Sequence, residues 1–361
     1  MSKPPDPGPY GGEPPPGHRL ELVCQEQAPP FRLQVRTGEG PRLEPSEVLV
    51  RVDATSINPI DVKRAGGYGR RLLGVKGASR FPLVLGNDLA GVVEAIGMDV
   101  TDFDVGQRVF GLVGTGRAGG AHASHVAVPQ AQLLAAPGGV DAAALAVLPY
   151  SFTTMWLAVR SLGLDATSAD RKRVLVHGAC GGLGRLGLQL LHSWGCQVTA
   201  ICAPGRRELC VVAGAQVAHE RGPGVIDALP RDFDAVLNFA SWDDDLALVS
   251  RLGPHALGYA TTVHPLLAHF DQGGWLRGAW AARRDWSRGR AAARSRSPEG
   301  RYAWTVFRPD RQALLALAAG IRERRLSLPI GVNVPFADAI VGFEHVAAGK
   351  QGRAVLMPGP A

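Results

Sequence analysis

The chain has 361 residues, a formal net charge of +7 and 46% hydrophobic residues. The length suggests roughly two domains, and the apolar share is ample for a globular core. No apolar run reaches the ~18 residues of a membrane span, no recognition motif for nucleic acid accompanies the basic charge, and five scattered cysteines without a C-x-x-C pair exclude a disulfide framework or a structural zinc lobe.

Residues 1–17 are rich in Pro and Gly and carry Asp6 and Glu13. They have neither the apolar core of a signal peptide nor the Arg-rich pattern of a transit peptide, so a disordered tail is expected. Strands follow at Arg19–Cys24 and, with clear alternation, at Glu47–Ala54. Ser56-Ile57-Asn58-Pro59-Ile60-Asp61 reads as a turn into a short helix, and Tyr68 sits in a glycine cluster. Further glycine-punctuated strands run to Val128, which fits a compact, partly open barrel.

From Pro149 strands alternate with helices. That alternation means a doubly wound parallel sheet. Its first strand, Arg173–His177, leads into Gly178-Ala179-Cys180-Gly181-Gly182-Leu183-Gly184 and then into an amphipathic helix. Strand, glycine turn and helix open a dinucleotide-binding unit. Gly182, Gly184 and Gly187 match G-x-G-x-x-G literally, but that register begins after the strand has ended. The register Ala179, Gly181, Gly184 begins where the strand stops and is preferred. Ala179, Cys180, Gly181, Gly182, Leu183 and Gly184 are therefore the candidate diphosphate loop, with the helix N-terminus as anion site.

The next strand, Gln197–Cys202, ends without a carboxylate. Ala203-Pro204-Gly205 follows, then Arg206 and Arg207. An acid there would hold ribose hydroxyls, whereas guanidiniums suit a second phosphate. NADPH is the expected cofactor, held also by Thr154 and Asn238. The arginine-rich segment 277–301 is either a solvated helical surface or an attractor of anionic ligands.

Several segments together resemble the medium-chain dehydrogenase/reductases of the quinone oxidoreductase type. They are Ser56–Val62 with Tyr68-Gly69, Phe81–Asp88 with Gly91-Val92-Val93, Gly106–Val109, and Leu148-Pro149-Tyr150 with Thr154. Asn58–Val62, Val263–Leu267 and Tyr302–Phe307 are similar to the reticulon-interacting NADPH oxidoreductase group. The resemblance implies an α/β protein: a GroES-like β-rich catalytic domain from 18–148 and 309–361, and a Rossmann NADPH-binding domain from 149–308. Members of that group are mitochondrial. This N-terminus does not read as an import signal, so a cytoplasmic location is expected.

Zinc-dependent relatives place a cysteine where this chain has Asn58 or its neighbour Ser56, and a histidine where it has Asn87. Asparagine is a poor zinc ligand, so no metal is expected. Without a Lewis acid, hydride transfer to an activated C=C remains feasible. Asn58 and Tyr68 are the catalytic candidates, Tyr68 being either the proton donor or a lid residue. The expected substrate is a quinone, an enone or, alternatively, an enoyl thioester. A non-catalytic NADPH-binding partner protein is the alternative from another class. A homodimer is compatible with the sequence.

Overall fold

The computed structural model describes residues 17–27, 31–75, 77–114 and 119–359. Apart from Gly17, the expected tail lies outside these residues. In chain order the elements begin with β1 (His18–Cys24), β2 (Leu33–Glu39), β3 (Glu47–Ile57), α1 (Pro59–Ala65), α2 (Arg70–Gly74), β4 (Leu83–Val84), β5 (Asp88–Ile96), β6 (Arg108–Leu112), β7 (His125–Pro129), β8 (Leu133–Ala135) and α3 (Ala142–Ala146). Next come α4 (Pro149–Ser161), β9 (Arg173–His177), α5 (Gly182–Ser193), β10 (Gln197–Cys202), α6 (Arg207–Val212), β11 (Val217–Glu220), α7 (Val225–Ala228), β12 (Ala235–Asn238), α8 (Asp245–Val249), β13 (Gly258–Thr261), α9 (Leu266–Arg296), β14 (Arg301–Trp304) and α10 (Arg311–Arg322). The chain closes with β15 (Ile330–Pro335), α11 (Ala339–Ala347) and β16 (Arg353–Met357).

Two compact units result: Met1–Tyr150 with Pro329–Ala361, and Ser151–Leu328. The expected second boundary, 308/309, therefore moves to 328/329. The cause is α10, whose Ala319 and Gly320 share a cleft with Leu190 and Trp194 of the second unit.

The first unit is β-rich. A sheet of order β15-β16-β3-β5-β6-β8, with β7 also paired to β3, lies beside the three-stranded β2-β1-β4. In β3 the alternating Val48, Val50 and Val52 are buried while Arg51 faces out. These valines pack with Leu89, Val93, Val109 and Val126.

The second unit holds six parallel strands in the order β11-β10-β9-β12-β13-β14. Numbered by appearance this is 3-2-1-4-5-6, the Rossmann order, whose switch point lies between β9 and β12. Tyr259, Val236, Leu248 and Phe233 fill its core.

The stretch Ala142–Ser161 is long and apolar enough by composition to cross a membrane. It spans two helices, α3 and α4, and 72% of its apolar window is buried within the protein.

Candidate functional site

The second unit presents a dinucleotide cradle at the carboxyl end of β9. Gly178, one residue before the preferred register begins, takes a left-handed turn (φ 82°). A Cβ on Gly178 would meet Ala240 Cβ at 3.0 Å. Ala179 is fully buried, and Cys180, Gly182 and Leu183 are half-buried. Gly181 is the N-cap of α5 with no side chain capping it. A Cβ on Gly181 would meet only the Gly178 carbonyl, at 3.4 Å, so the space over the helix end is open. On Gly184 a Cβ would lie 2.3 Å from the Gly178 oxygen and 2.6 Å from Ala179 Cα. There the helix touches the strand turn. Gly187 has no such constraint, its nearest neighbour being Met155 Cγ at 3.5 Å. The opening N–H groups of α5 lack intrahelical acceptors and carry the positive end of the helix dipole. A diphosphate fits this cradle.

Beyond β10, Ala203 is exposed and Arg206 half-exposed. Among the described residues Arg206 forms no hydrogen bond or ion pair. Arg207 donates from Nε to the Ala218 carbonyl at 3.0 Å, which ties it to β11. Sequence reading missed Glu220 at the end of β11, which accepts the Gly205 N–H at 3.0 Å. No spacing rule links residues on two different strands.

Asn238 closes the switch point from within. It is fully buried. Its Oδ1 faces His177 Nδ1 at 3.1 Å and accepts the Ala240 N–H at 3.1 Å. Its Nδ2 donates to the Ser241 carbonyl at 2.7 Å and to Tyr259 Oη at 2.9 Å. The amide is thus committed to holding β9, β12 and β13 together. Thr154 lies buried on α4.

In the first unit Asn58 caps α1 and is also fully buried. Its Nδ2 donates to Asp88 Oδ2 at 2.7 Å and to Ser56 Oγ at 3.1 Å. Arg353 of β16 donates to its Oδ1. Ser56 Oγ donates to Asp88 Oδ2 at 2.6 Å, and the Tyr150 N–H donates to Asp88 Oδ1 at 2.5 Å. Every polar atom of the Asn58 side chain therefore has a partner. Burial pushes the Asp88 carboxyl up to about 6, against the opposing pull of Ser56, Asn58, Tyr150 and Arg353. Burial also lowers the Arg353 guanidinium, which Asp88 opposes.

Asp61 accepts the Asn58 N–H at 2.8 Å and the Gly86 N–H at 3.0 Å, as a capping residue should. Asn87 donates to the Val113 carbonyl at 2.8 Å, and its Oδ1 is buried without a partner. Among the described residues no three His, Cys, Asp or Glu side chains converge as metal ligands. A guanidinium held against Asn58 would also repel a cation placed there. The donor set does not fit zinc.

Tyr68 is half-buried in the turn after α1, with Lys63 Nζ 5.5 Å from its ring centre. Of the two catalytic candidates, Asn58 is fully buried and Tyr68 lies in a turn. Asp88 and Arg353 were missed as partners of Asn58. They lie 30 and 295 residues from it, and only the pairing of β3 with β5 and with β16 brings them together.

Comparison with known proteins agrees with this architecture. Residues 44–138 match the alcohol dehydrogenase GroES-like domain. The mitochondrial NAD(P)H oxidoreductase RTN4IP1 of Drosophila melanogaster is 31% identical over 329 residues, covering 86% of this chain and 79% of that protein. The mitochondrial reticulon-4-interacting protein 1 of Caenorhabditis elegans is 29% identical over 322 residues, covering 84% of this chain and 83% of that protein. The quinone oxidoreductase of Coxiella burnetii shares the fold with a TM-score of 0.78 at 19% identity, over 94% of this chain and 99% of that one. The mitochondrial relatives overturn the expected cytoplasmic location. The error lay in judging import from the composition of residues 1–17. By these likenesses the chain belongs to the reticulon-interacting NAD(P)H oxidoreductase family of the medium-chain dehydrogenase/reductases, and it is an oxidoreductase that uses a nicotinamide cofactor.

Proposed function

We propose that the protein is a zinc-independent, NADPH-dependent reductase of quinones or other α,β-unsaturated carbonyls. The observation that carries the NADPH reading is the unpartnered Arg206 just past β10, on a strand end that bears no acid of its own. Glu220 is the one feature favouring NADH, because its carboxylate lies at Gly205. Its position on the neighbouring strand and its bond to the backbone argue against it as the ribose ligand.

When bound, the nicotinamide supplies a hydride. The N–H groups at the start of α5 hold the diphosphate. Gly184 lets helix and turn approach closely enough to form the cradle. Arg206 binds the second phosphate by a charge-assisted fork. Tyr68 donates a proton from its Oη to the reduced substrate, at the α-carbon of an enolate or at the oxygen of a hydroquinone anion. Asp88, Asn58 and Arg353 fix the polar floor of the catalytic unit without touching substrate.

We assign the protein to the mitochondrion on the names of its relatives. Cell fractionation that finds it only in the cytosol would contradict this. The substrate class is tested by NADPH oxidation against a panel of quinones, enones and enoyl thioesters, with and without a chelator. Turnover of quinones or free enones, unaffected by chelation, is expected. Turnover of thioesters alone would replace the substrate. Tight NADPH binding with no acceptor reduced would replace the enzyme reading by a binding protein.

A further inference from the structure

The long helix α9 is not used by any step above. It carries seven arginines against two aspartates. Its backbone breaks at Gly274 (φ 69°, ψ −165°), so Trp275–Arg296 forms its own helical rod. The rod has two faces. Gly278, Ala282, Gly289 and Ala293 are buried, at helical spacings of four, seven and four. They let the rod lie close to the sheet: a Cβ on Gly289 would meet Tyr302 Cζ and Oη at 2.2 Å.

The opposite face gathers around Trp280, which is 64% exposed. Its neighbours one turn away are Leu276, 88% exposed, with Arg277, Arg283 and Arg284. Arg288 and Arg294 continue the face, and Trp275 is 50% exposed at its start. Arg277, Arg283, Arg288 and Arg294 make no hydrogen bond or ion pair among the described residues. The acid on this rod is already engaged: Asp285 accepts from Arg284 Nε at 2.9 Å and faces His269 Nε2 at 2.9 Å. Arg296 differs, donating to the Leu252 carbonyl at 3.0 Å and 3.1 Å. The unpaired heads of Arg277, Arg283, Arg288 and Arg294, with Arg284 stacked over the Trp280 ring at 5.3 Å from its centre, thus surround exposed apolar side chains.

We propose that this face docks the protein on an anionic phospholipid surface. Tryptophan and leucine enter the headgroup boundary, and the surrounding guanidiniums bind lipid phosphates. The inference rests on α9 alone and does not depend on the cofactor or substrate assigned above.

The full-length protein is mixed with sedimentable vesicles of phosphatidylcholine, with or without phosphatidylglycerol. Binding to the anionic vesicles is expected, and it should weaken as salt rises. Arg277→Glu/Arg283→Glu/Arg288→Glu should weaken it by about tenfold or more. Trp280→Ala/Leu276→Ala should weaken it at constant charge. Melting temperatures near wild type show that these exposed changes leave the fold intact. No binding to anionic vesicles at low salt overturns the proposal. So does equal binding to pure phosphatidylcholine, or unchanged binding by both variants. If the Trp280 and Leu276 changes dissociate a dimer while vesicle binding is unaffected, the face is a self-association surface and the proposal fails. If RNA or DNA displaces the vesicles at stoichiometric amounts, a nucleic acid is the better occupant and the proposal fails likewise.

Discussion

The Asn58 amide donates to the Asp88 carboxylate at 2.7 Å in the interior of the catalytic unit. Arg353 donates to the other end of the same amide. An asparagine thus bridges a buried acid and a buried base. The amide orientation follows from its partners, since Nδ2 can only donate and Oδ1 only accept.

Asp88 gives this network a pH signature. Its folded pKa, pushed up to about 6, lies above the ordinary 3.8. Between those values the native state holds a proton that the unfolded chain has released. Stability from this group is therefore fully present below pH ~4 and falls as pH rises towards ~6, by about 3 kcal/mol in all. The melting temperature of wild type should fall across that window relative to Asp88→Asn, which lacks the titration. Parallel pH profiles for the two proteins would refute the assignment.

Asn58 and Tyr68 should respond differently to mutation. Asn58→Ala removes one of the donors to Asp88 and the Oδ1 acceptor of Arg353 in the interior, and should cost about 1–3 kcal/mol of stability, read by denaturant titration. Tyr68→Phe should leave stability within about 0.5 kcal/mol and lower kcat about a hundredfold or more. Full activity in Tyr68→Phe would make this tyrosine a lid residue.

Two glycines on α5 discriminate between the registers of the loop. Gly184→Ala pushes a methyl group into the Gly178 carbonyl at 2.3 Å, at a cost of about 1–3 kcal/mol and with weakened cofactor binding. Gly187→Ala meets only ordinary contacts and should gain up to about 1 kcal/mol from helix propensity. Isothermal titration with NADPH, beside thermal melts, checks both. The reverse order of effects would restore the literal register.

The comparison of α5 with the buried network shows what could be read from sequence. The turn, the N-cap and the first residues of α5 lie within seven consecutive residues, Gly178–Gly184, and local chemistry fixes them. The alternation of Val48, Val50 and Val52 likewise marks β3 directly. The Asp88–Asn58–Arg353 contact is different in kind. It needs β3 between β5 and β16, and no local pattern encodes that pairing. Gly178 holds the left-handed turn at the end of β9, a conformation that strains any residue with a Cβ. The α10 helix left the catalytic unit because its apolar face packs on the cofactor unit, which periodicity alone does not reveal.

The central claim, reduction with NADPH as donor, is tested most directly by one ratio. It is kcat/KM for NADPH over that for NADH, with a simple benzoquinone as acceptor, in wild type and in Arg206→Ala. The wild-type ratio should exceed about tenfold, and Arg206→Ala should bring it close to one, a loss of about 1.4 kcal/mol or more. A wild-type preference for NADH, or an unchanged ratio in Arg206→Ala, would contradict the account.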